Sequence, residues 1–324
     1  MKAIVVSQYG GPEVLKLEEV PDLTPQSGQV VVKIHAAGVN PVETYRRAGI
    51  PPYNSGPLPY TPGSDGAGEI FAIGPDGEGW DIGDRVYLYA PKGSGTYAEF
   101  CLCDQSEVFR LPANISIEQG AALGVPYATA HRALFGKANA KAGEFVFIHG
   151  ATGGVGVAAI QLAQRAGLQV GGSAGSSAGE EWLESLGVKY TTNHNAPDYL
   201  SDVLGMTCGR GCDIILEMLA NQNLGRDPDV LAPLGRIVVI GNRGAVTVNP
   251  RDWMMRDAAI FGMTLFNVSP TDLKLIHAEL ATGLANGDLH PLIGQKFSLE
   301  EAPQAHRAVM QSGARGKIVL KVAD

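Results

Sequence analysis

The sequence predicts an α/β protein of two domains, one built on a doubly wound parallel sheet and one mainly β. Three observations lead there. The first part of the chain, to about residue 120, is a series of short β-branched runs separated by Gly, Pro and Asp. From residue 145 onward, apolar strands alternate with helices, the order that covers a parallel sheet on both faces. At the junction, FVFIHGATGGVG (145–156) runs a wholly apolar strand into a glycine loop.

Taken in order, KAIVV (2–6), QVVVKIHAAG (29–38) and GEIFAIG (68–74) read as strands. DRVYLY (84–89), TYAEFCLC (96–103) and EVFRLP (107–112) follow at similar pitch, which suggests a compact, barrel-like β domain. One helix interrupts them, PVETYRRAG (41–49), closed by a glycine suited to the position after a helix end. QGAALGVPYATAHRALF (119–135) reads as a helix broken around Gly124 to Pro126. VAAIQLAQRAG (157–167) continues the glycine loop as a helix; LQVGGSAG (168–175) is the next strand and AGEEWLESLG (178–187) the next helix. CDIILEML, RIVVIG and AIFGMTL are expected as further buried strands, with DPDVLAPLG (227–235) ending a helix between them. The helices TDLKLIHAELATGLANG (271–287) and EEAPQAHRAVMQSG (300–313) precede a last strand, KIVLKV (317–322).

The composition excludes several functions. A chain of 324 residues, 45% hydrophobic and 18% charged, has material for two cores. The formal net charge of −8 disfavours a general nucleic-acid or anionic-membrane surface. No run approaches the ~20 apolar residues of a membrane span, and MKAIVVSQYG is too short in apolar length for a signal sequence. A soluble, cytoplasmic protein is expected. Cys101, Cys103, Cys208 and Cys212 form no metal-ribbon spacing. Cys101 and Cys103 read as buried hydrophobes on one face of a strand, and disulfides are not expected.

The glycine loop carries the strongest chemical signal. Gly150, Gly153, Gly154 and Gly156 are spaced differently from a strict GxGxxG, yet they sit between an apolar strand and a helix. There the backbone can approach a pyrophosphate, and N–H groups at the helix start can face its charge. A NAD site ordinarily places an acid about twenty residues further on, to hold the ribose. Here that region is GGSAGSSAG (171–179), with no acid before Glu180. The absence of a like charge favours NADPH, and an Asp at Ser173 or Ser176 should turn the preference towards NADH. Lys189 and His194 are the nearest basic candidates for a 2′-phosphate.

With these elements in place, the chain is identified as a member of the medium-chain dehydrogenase/reductase superfamily. The stretches that carry this include AAGVNPVETYRRAG (36–49), LPYTPGSDGAGEI (58–70), GVPYATAHRAL (124–134), HGATGGVG, LEMLAN (216–221), VVIGNRG (238–244) and GMTLF (262–266). Within it the chain most resembles the zeta-crystallin-like NADPH:quinone oxidoreductases, chiefly through GVNPVETY, PYTPGSD and EMLAN. The resemblance implies a GroES-like, mainly β catalytic domain from residues 1–122 and 268–324, and a Rossmann NADP-binding domain over 123–267. Zinc members of the superfamily hold a metal with a Cys, a His-Glu pair and a second Cys. The matching places here are Asn40, Ser64–Asp65 and Val125, which cannot make that shell. No metal is therefore expected. Ser64 is no nucleophile, since no histidine follows at a triad spacing, and Asp65 is expected to hydrogen-bond its turn.

Without a Lewis acid, an acceptor that takes a hydride or electron easily is required, such as a quinone or conjugated enone. The resemblance assigns Tyr45 and Asn40 as donors to the developing oxyanion, beside the nicotinamide. It assigns Thr152, Gly153, Gly154 and Val155 to the pyrophosphate, Thr129 to the nicotinamide, and Gly175 and His194 to the adenosine end. Asn221, Ile240, Gly241, Asn242, Arg243, Met263, Thr264 and Leu265 line the remainder, the last three through backbone that can bond the carboxamide. The other histidines read as structural. A homodimer or homotetramer is expected. Two other readings stand beside quinone reduction. One is NADPH-dependent C=C reduction of enones, alkenals or enoyl thioesters with Tyr45 as proton donor, although no basic entrance flanks residues 41–60. The other is a non-enzymatic structural or RNA-binding protein, which the acidic balance disfavours.

Overall fold

A computed structural model describes residues 1–53 and 56–322. The chain forms two compact units, 1–126 with 277–324, and 127–276. The expected boundaries at 122/123 and 267/268 fall four and nine residues earlier, and the last two residues of the expected 268–324 segment lie outside the described ones. Both divisions lie inside helices, where no turn signal marks them.

The first unit opens with strands β1 (Lys2–Val6) and β2 (Leu15–Glu19), paired antiparallel. Strand β3 (Gln29–Val39) leads into helix α1 (Pro41–Arg47). The start of α1 is dictated by sequence: Pro41 occupies the first turn, and the Asn40 N–H donates to Glu43 Oε2 at 2.8 Å. β4 (Asp65–Ile73), β5 (Arg85–Tyr89), β6 (Phe100–Asp104), β7 (Val108–Arg110) and the short helix α2 (Ile117–Gly120) follow. Asp65 thus begins a strand, where an irregular turn was expected.

Helix α3 (Gly124–His131) takes the chain into the second unit, with Pro126 in its first turn, so the break falls before Gly124. Then come β8 (Phe145–Ile148), α4 (Gly154–Arg165), β9 (Gln169–Ala174), α5 (Ser177–Ser185), β10 (Tyr190–Asn193), α6 (Tyr199–Met206), β11 (Cys212–Glu217), α7 (Ala220–Asn223), β12 (Leu231–Val239), α8 (Pro250–Met254) and β13 (Ala259–Gly262). All strand pairs here are parallel, in the order β10-β9-β8-β11-β12-β13. Central strand β8 and the middle of β11, Ile214 to Leu216, are apolar on both faces because helices cover both. DPDVLAPLG does not end a helix. It forms one 3-10 turn (Asp227–Val230) and enters β12 at Leu231, since Pro233 has no N–H to continue a helix while buried Leu231 pairs with Cys212. β13 is not fully buried either; it is the sheet edge, and Ile260 is 42% exposed.

Helix α9 (Pro270–Ala285) returns the chain to the first unit, followed by β14 (Ile293–Ser298), α10 (Ala302–Ala308) and β15 (Lys317–Lys321). The larger sheet of that unit runs β14-β15-β3-β4-β5-β7, with β6 against β3. Its core gathers Ile4, Val32, Ile34, Ile70, Leu88 and Leu320, with Cys101 and Cys103 buried on one face of β6 as expected. The second core gathers Phe145, Phe147, Ile215, Leu231 and Ile237 with Tyr199 and Leu200 from α6.

Candidate functional site

In the first unit, the residues around GVNP and PGSD converge on one buried polar cluster. Asp65, at the head of β4, is wholly buried and pairs with the Lys317 ammonium at 2.7 Å, where β15 begins. Its other oxygen accepts from the Val125 N–H at 2.6 Å. Gly124 makes this possible, because a Cβ there would stand 2.5 Å from Asp65 Oδ1. Asn40 lies between the charges. Its amide donates to Asp65 Oδ2 at 2.9 Å and Glu43 Oε1 at 3.1 Å, and its carbonyl accepts from Lys317. Glu43 also takes the Ser64 N–H at 2.9 Å and the Tyr97 hydroxyl at 2.8 Å.

From Tyr97 the network runs outward through His306 to Arg47. The Arg47 guanidinium lies 3.2 Å from His306 Nδ1, and Tyr97 Oη lies 3.2 Å from Nε2. Arginine only donates, so Nδ1 is the acceptor and Nε2–H donates to Tyr97, whose own proton goes to Glu43. The imidazole is therefore neutral. Burial, reinforced by Arg47, pushes its pKa down to about 3. Burial raises the Glu43 carboxyl against the pull of Lys317. Two carboxylates, Glu43 and Asp65, are balanced by Lys317 and Arg47, as buried charges require.

The expected site residues of this unit fare differently. Both amide hydrogens of Asn40 are committed and it is 4% exposed, so it has no donor to spare for a substrate oxygen and acts as the joint of the cluster. Tyr45, on α1, is partly exposed and packs its ring 5.5 Å from Tyr53; among the described residues nothing hydrogen-bonds its hydroxyl. Ser64 contributes its backbone, and Asp65 serves an ion pair more than a turn. Sequence reasoning missed Glu43, Arg47, Tyr97, His306 and Lys317. A signal existed for Glu43, three residues after Asn40 in a helix-capping pattern. Another lay in Lys317, at the head of an apolar strand.

In the second unit the expected cofactor residues gather along one edge of the parallel sheet. The glycine loop follows β8, Gly175 follows β9, and His194 follows β10. Asn221 comes after β11, Ile240 to Arg243 after β12, and Met263 to Leu265 after β13. Thr129 is buried on α3. Because the strands are parallel, these carboxyl ends share one side, the side on which such sheets bind ligands. The backbone here fits a dinucleotide. A Cβ at Gly153 would meet nothing nearer than Gly150 O at 3.7 Å, so the backbone beside the helix start stays open. At Gly156 a Cβ would fall 2.4 Å from Ala151 O, which is close helix-on-loop packing. The leading N–H groups of α4, from Gly154 and Val155, have no acceptor within the helix. Gly241 approaches Met218 O too closely for a side chain, at 2.2 Å for a Cβ, and the Arg243 N–H bonds Asn221 at 2.9 Å.

Two expectations about the 2′-phosphate need correction. Ser173 is wholly buried; its hydroxyl accepts the Gly150 N–H at 3.1 Å and lies 3.2 Å from His194 Nδ1. An Asp at position 173 would break the loop before it could repel a phosphate, so Ser176, which is exposed, is the informative position. Lys189 precedes β10, at the strand's amino end and so opposite the ligand edge; its ammonium lies over the Tyr190 ring. His194 stays at the edge, held neutral by burial and by neighbouring His149.

Comparisons with known proteins agree with this arrangement. The family described as alcohol dehydrogenase GroES-like domain matches residues 26–113, and the one described as zinc-binding dehydrogenase matches 186–320. The quinone oxidoreductase of Homo sapiens is 44% identical over 99% of this chain and 97% of its own length. That of Rattus norvegicus is 45% identical with the same coverage. Among solved structures, a quinone oxidoreductase from Pseudomonas syringae superposes with a TM-score of 0.88 at 30% identity, covering 99% of each chain. A mycobacterial protein complexed with NADPH gives 0.91 at 26% identity, over 99% of this chain and 100% of that one. The CurK enoyl reductase gives 0.90 at 28%, over 99% of each. With a mainly β GroES-like unit, a parallel Rossmann sheet and full-length identity of this degree, the chain belongs to the zeta-crystallin-like quinone oxidoreductases of the medium-chain dehydrogenase/reductase superfamily, oxidoreductases that use a nicotinamide cofactor.

Proposed function

We propose that the protein reduces quinones with NADPH and without a catalytic metal. The carrying observation is the chemistry of the buried cluster. Asn40, Ser64 and Val125 stand where a Cys/His shell would be needed, and Asn40 and Asp65 spend their polar atoms on one another, on Lys317 and on backbone. Nothing there offers a Lewis acid, so the acceptor must take electrons readily. The Tyr45 hydroxyl, uncommitted among the described residues, is a group that can donate to an oxygen as charge develops on it.

The glycine-loop backbone (Thr152 to Val155) and the start of α4 hold the pyrophosphate; Gly175, Ser176 and His194 take the adenosine end. Asn221, Ile240 to Arg243, Met263 to Leu265 and Thr129 hold the nicotinamide half. When bound, the cofactor supplies the hydride. NADPH is preferred because GGSAGSSAG places no carboxylate to repel a 2′-phosphate. Reduction of a conjugated C=C is a second reading, favoured by the likeness to CurK; there Tyr45 would deliver a proton. No described helix is long and apolar enough to cross a membrane. All four cysteines are free, which favours a reducing, cytoplasmic setting.

Oxidation of NADPH and NADH measured against quinones, enones and enoyl thioesters tests this. Rapid turnover of quinones with NADPH is expected. Turnover confined to enoyl thioesters would replace the first reading with the second.

A further inference from the structure

Beneath the glycine loop lies a second buried cluster that binding of a dinucleotide does not itself require. His149 follows β8 and opens the loop, Glu217 ends β11, and Asp227 opens the 3-10 turn before β12. All three are buried, to 2%, 0% and 0% exposure. His149 Nε2 lies 2.9 Å from Asp227 Oδ1 and 3.5 Å from Glu217 Oε2. One ring proton can serve only one of them. Glu217 Oε2 and Asp227 Oδ2 are left as buried acceptors without a donor, a costly state. A single added proton on Glu217 would remove one of these two buried negative charges.

The cluster is wired to the ligand edge of the sheet. Glu217 Oε1 accepts from the Leu219 N–H and Asn223, and its backbone carbonyl accepts from the N–H groups of Ile240 and Gly241. Asn221 and Arg243, in those same segments, are bonded to each other. His149 is covalently next to Gly150, which is tied to Ser173 and through it to His194.

We propose that Glu217, with His149 and Asp227, is a proton-holding positioning group whose protonation is linked to dinucleotide binding. The inference rests on the cofactor reading above. With the added proton the cluster is neutral overall: His149 is cationic, Asp227 anionic and Glu217 uncharged. Without it, a net negative charge lies next to the loop that receives a pyrophosphate. Binding therefore takes up a proton, and affinity falls as pH rises through the titration of Glu217. Burial pushes that carboxyl up to about 7; His149 opposes and Asp227 reinforces the rise. His149 is raised despite its burial, by Asp227 and Glu217. The other charged or titratable groups facing the cluster are Arg226 beside Asp227, Tyr199 on α6, whose ring lies 6.3 Å from His149, and His194 after β10.

The test measures dissociation constants for NADPH and NADH between pH 6 and 8.5, on the parent protein and on Glu217→Gln. NADH is included because it lacks the titrating 2′-phosphate. Calorimetry of NADH binding in buffers of different ionisation enthalpy counts protons directly and needs no variant. For the parent, uptake on the order of half a proton near neutral pH and about fivefold weaker NADH binding at pH 8.5 than at pH 6 are expected. Glu217→Gln, which keeps an acceptor and supplies a permanent donor, should bind as the parent does at low pH and lose the slope. Zero proton uptake by the parent, or an unchanged slope in a folded Glu217→Gln, overturns the proposal. Stoichiometric retention of added zinc by the parent and not by the variant overturns it too, since the cluster would then be a metal site. If neither dinucleotide binds at any pH, the cofactor reading fails first.

Discussion

Asn40, Asp65 and Lys317 share their charges and hydrogen bonds so completely that removing one leaves the others stranded. Lys317→Met would leave the Asp65 carboxylate buried beside Glu43 without its ammonium. A loss of about 3–5 kcal/mol is expected, read as a lowered denaturant midpoint with unchanged slope. Lys317→Met combined with Asp65→Asn should recover much of it, which an additive double mutant would contradict. Tyr45→Phe is expected to act in the opposite way, leaving stability and NADPH affinity nearly intact. It should slow the reaction with a quinone about tenfold, or about 1.4 kcal/mol, because the hydroxyl matters when charge develops on the acceptor oxygen. With a C=C substrate the loss should reach ~10²-fold or more, since a general acid is removed. His306 gives a pH signature. Its folded pKa lies at about 3, below the ordinary value of 6.5, so the unfolded chain binds more protons as pH falls. Stability it contributes above pH 6.5 is lost progressively down to about pH 3, at up to ~1.4 kcal/mol per pH unit. His306→Gln should flatten the fall in unfolding temperature between pH 7 and 5; an unchanged fall would place its origin elsewhere.

Elements divide into those whose sequence carries its own signal and those placed by partners. The strand–loop–helix around 145–165 was legible because an apolar run, a glycine cluster and a small-residue helix each have a local physical cause. Helix α1 was legible through Pro41 and Gly49. β2, β10 and β14 were not, since LKLEE, YTTN and IGQKFS are polar or half exposed and become strands only by pairing. The candidate site was legible where backbone does the work, along the strand ends. It was opaque where distant residues meet, as Arg47, Tyr97 and His306 do. The two loop glycines allow a sharp contrast. Gly153→Ala should fold normally, having open space, yet weaken NADPH binding by ten- to a hundredfold by obstructing the phosphate approach. Gly156→Ala should destabilise the fold itself, because its methyl would collide with Ala151 backbone. Equal thermal stability of the two variants would contradict this division of roles.

At the scale of the whole molecule, β13 leaves one edge of the parallel sheet unpaired, with Ile260 and nearby Met254, Met255 and Phe266 exposed. Unprotected edges invite pairing, and a homodimer or higher homo-oligomer is the expected state by light scattering; a monomer at micromolar concentration would contradict it. In the proposed chemistry, Asn40, Glu43 and Asp65, with Lys317 and Arg47 balancing the two carboxylates, stand in place of a metal shell, and reduction relies on an easily reduced acceptor. Single-turnover oxidation of bound NADPH by a quinone, followed at the nicotinamide absorbance with and without a strong chelator, tests this most directly. The account predicts full oxidation at the same rate in both, slowed about tenfold by Tyr45→Phe. Loss of the reaction on chelation and its return with zinc would contradict it.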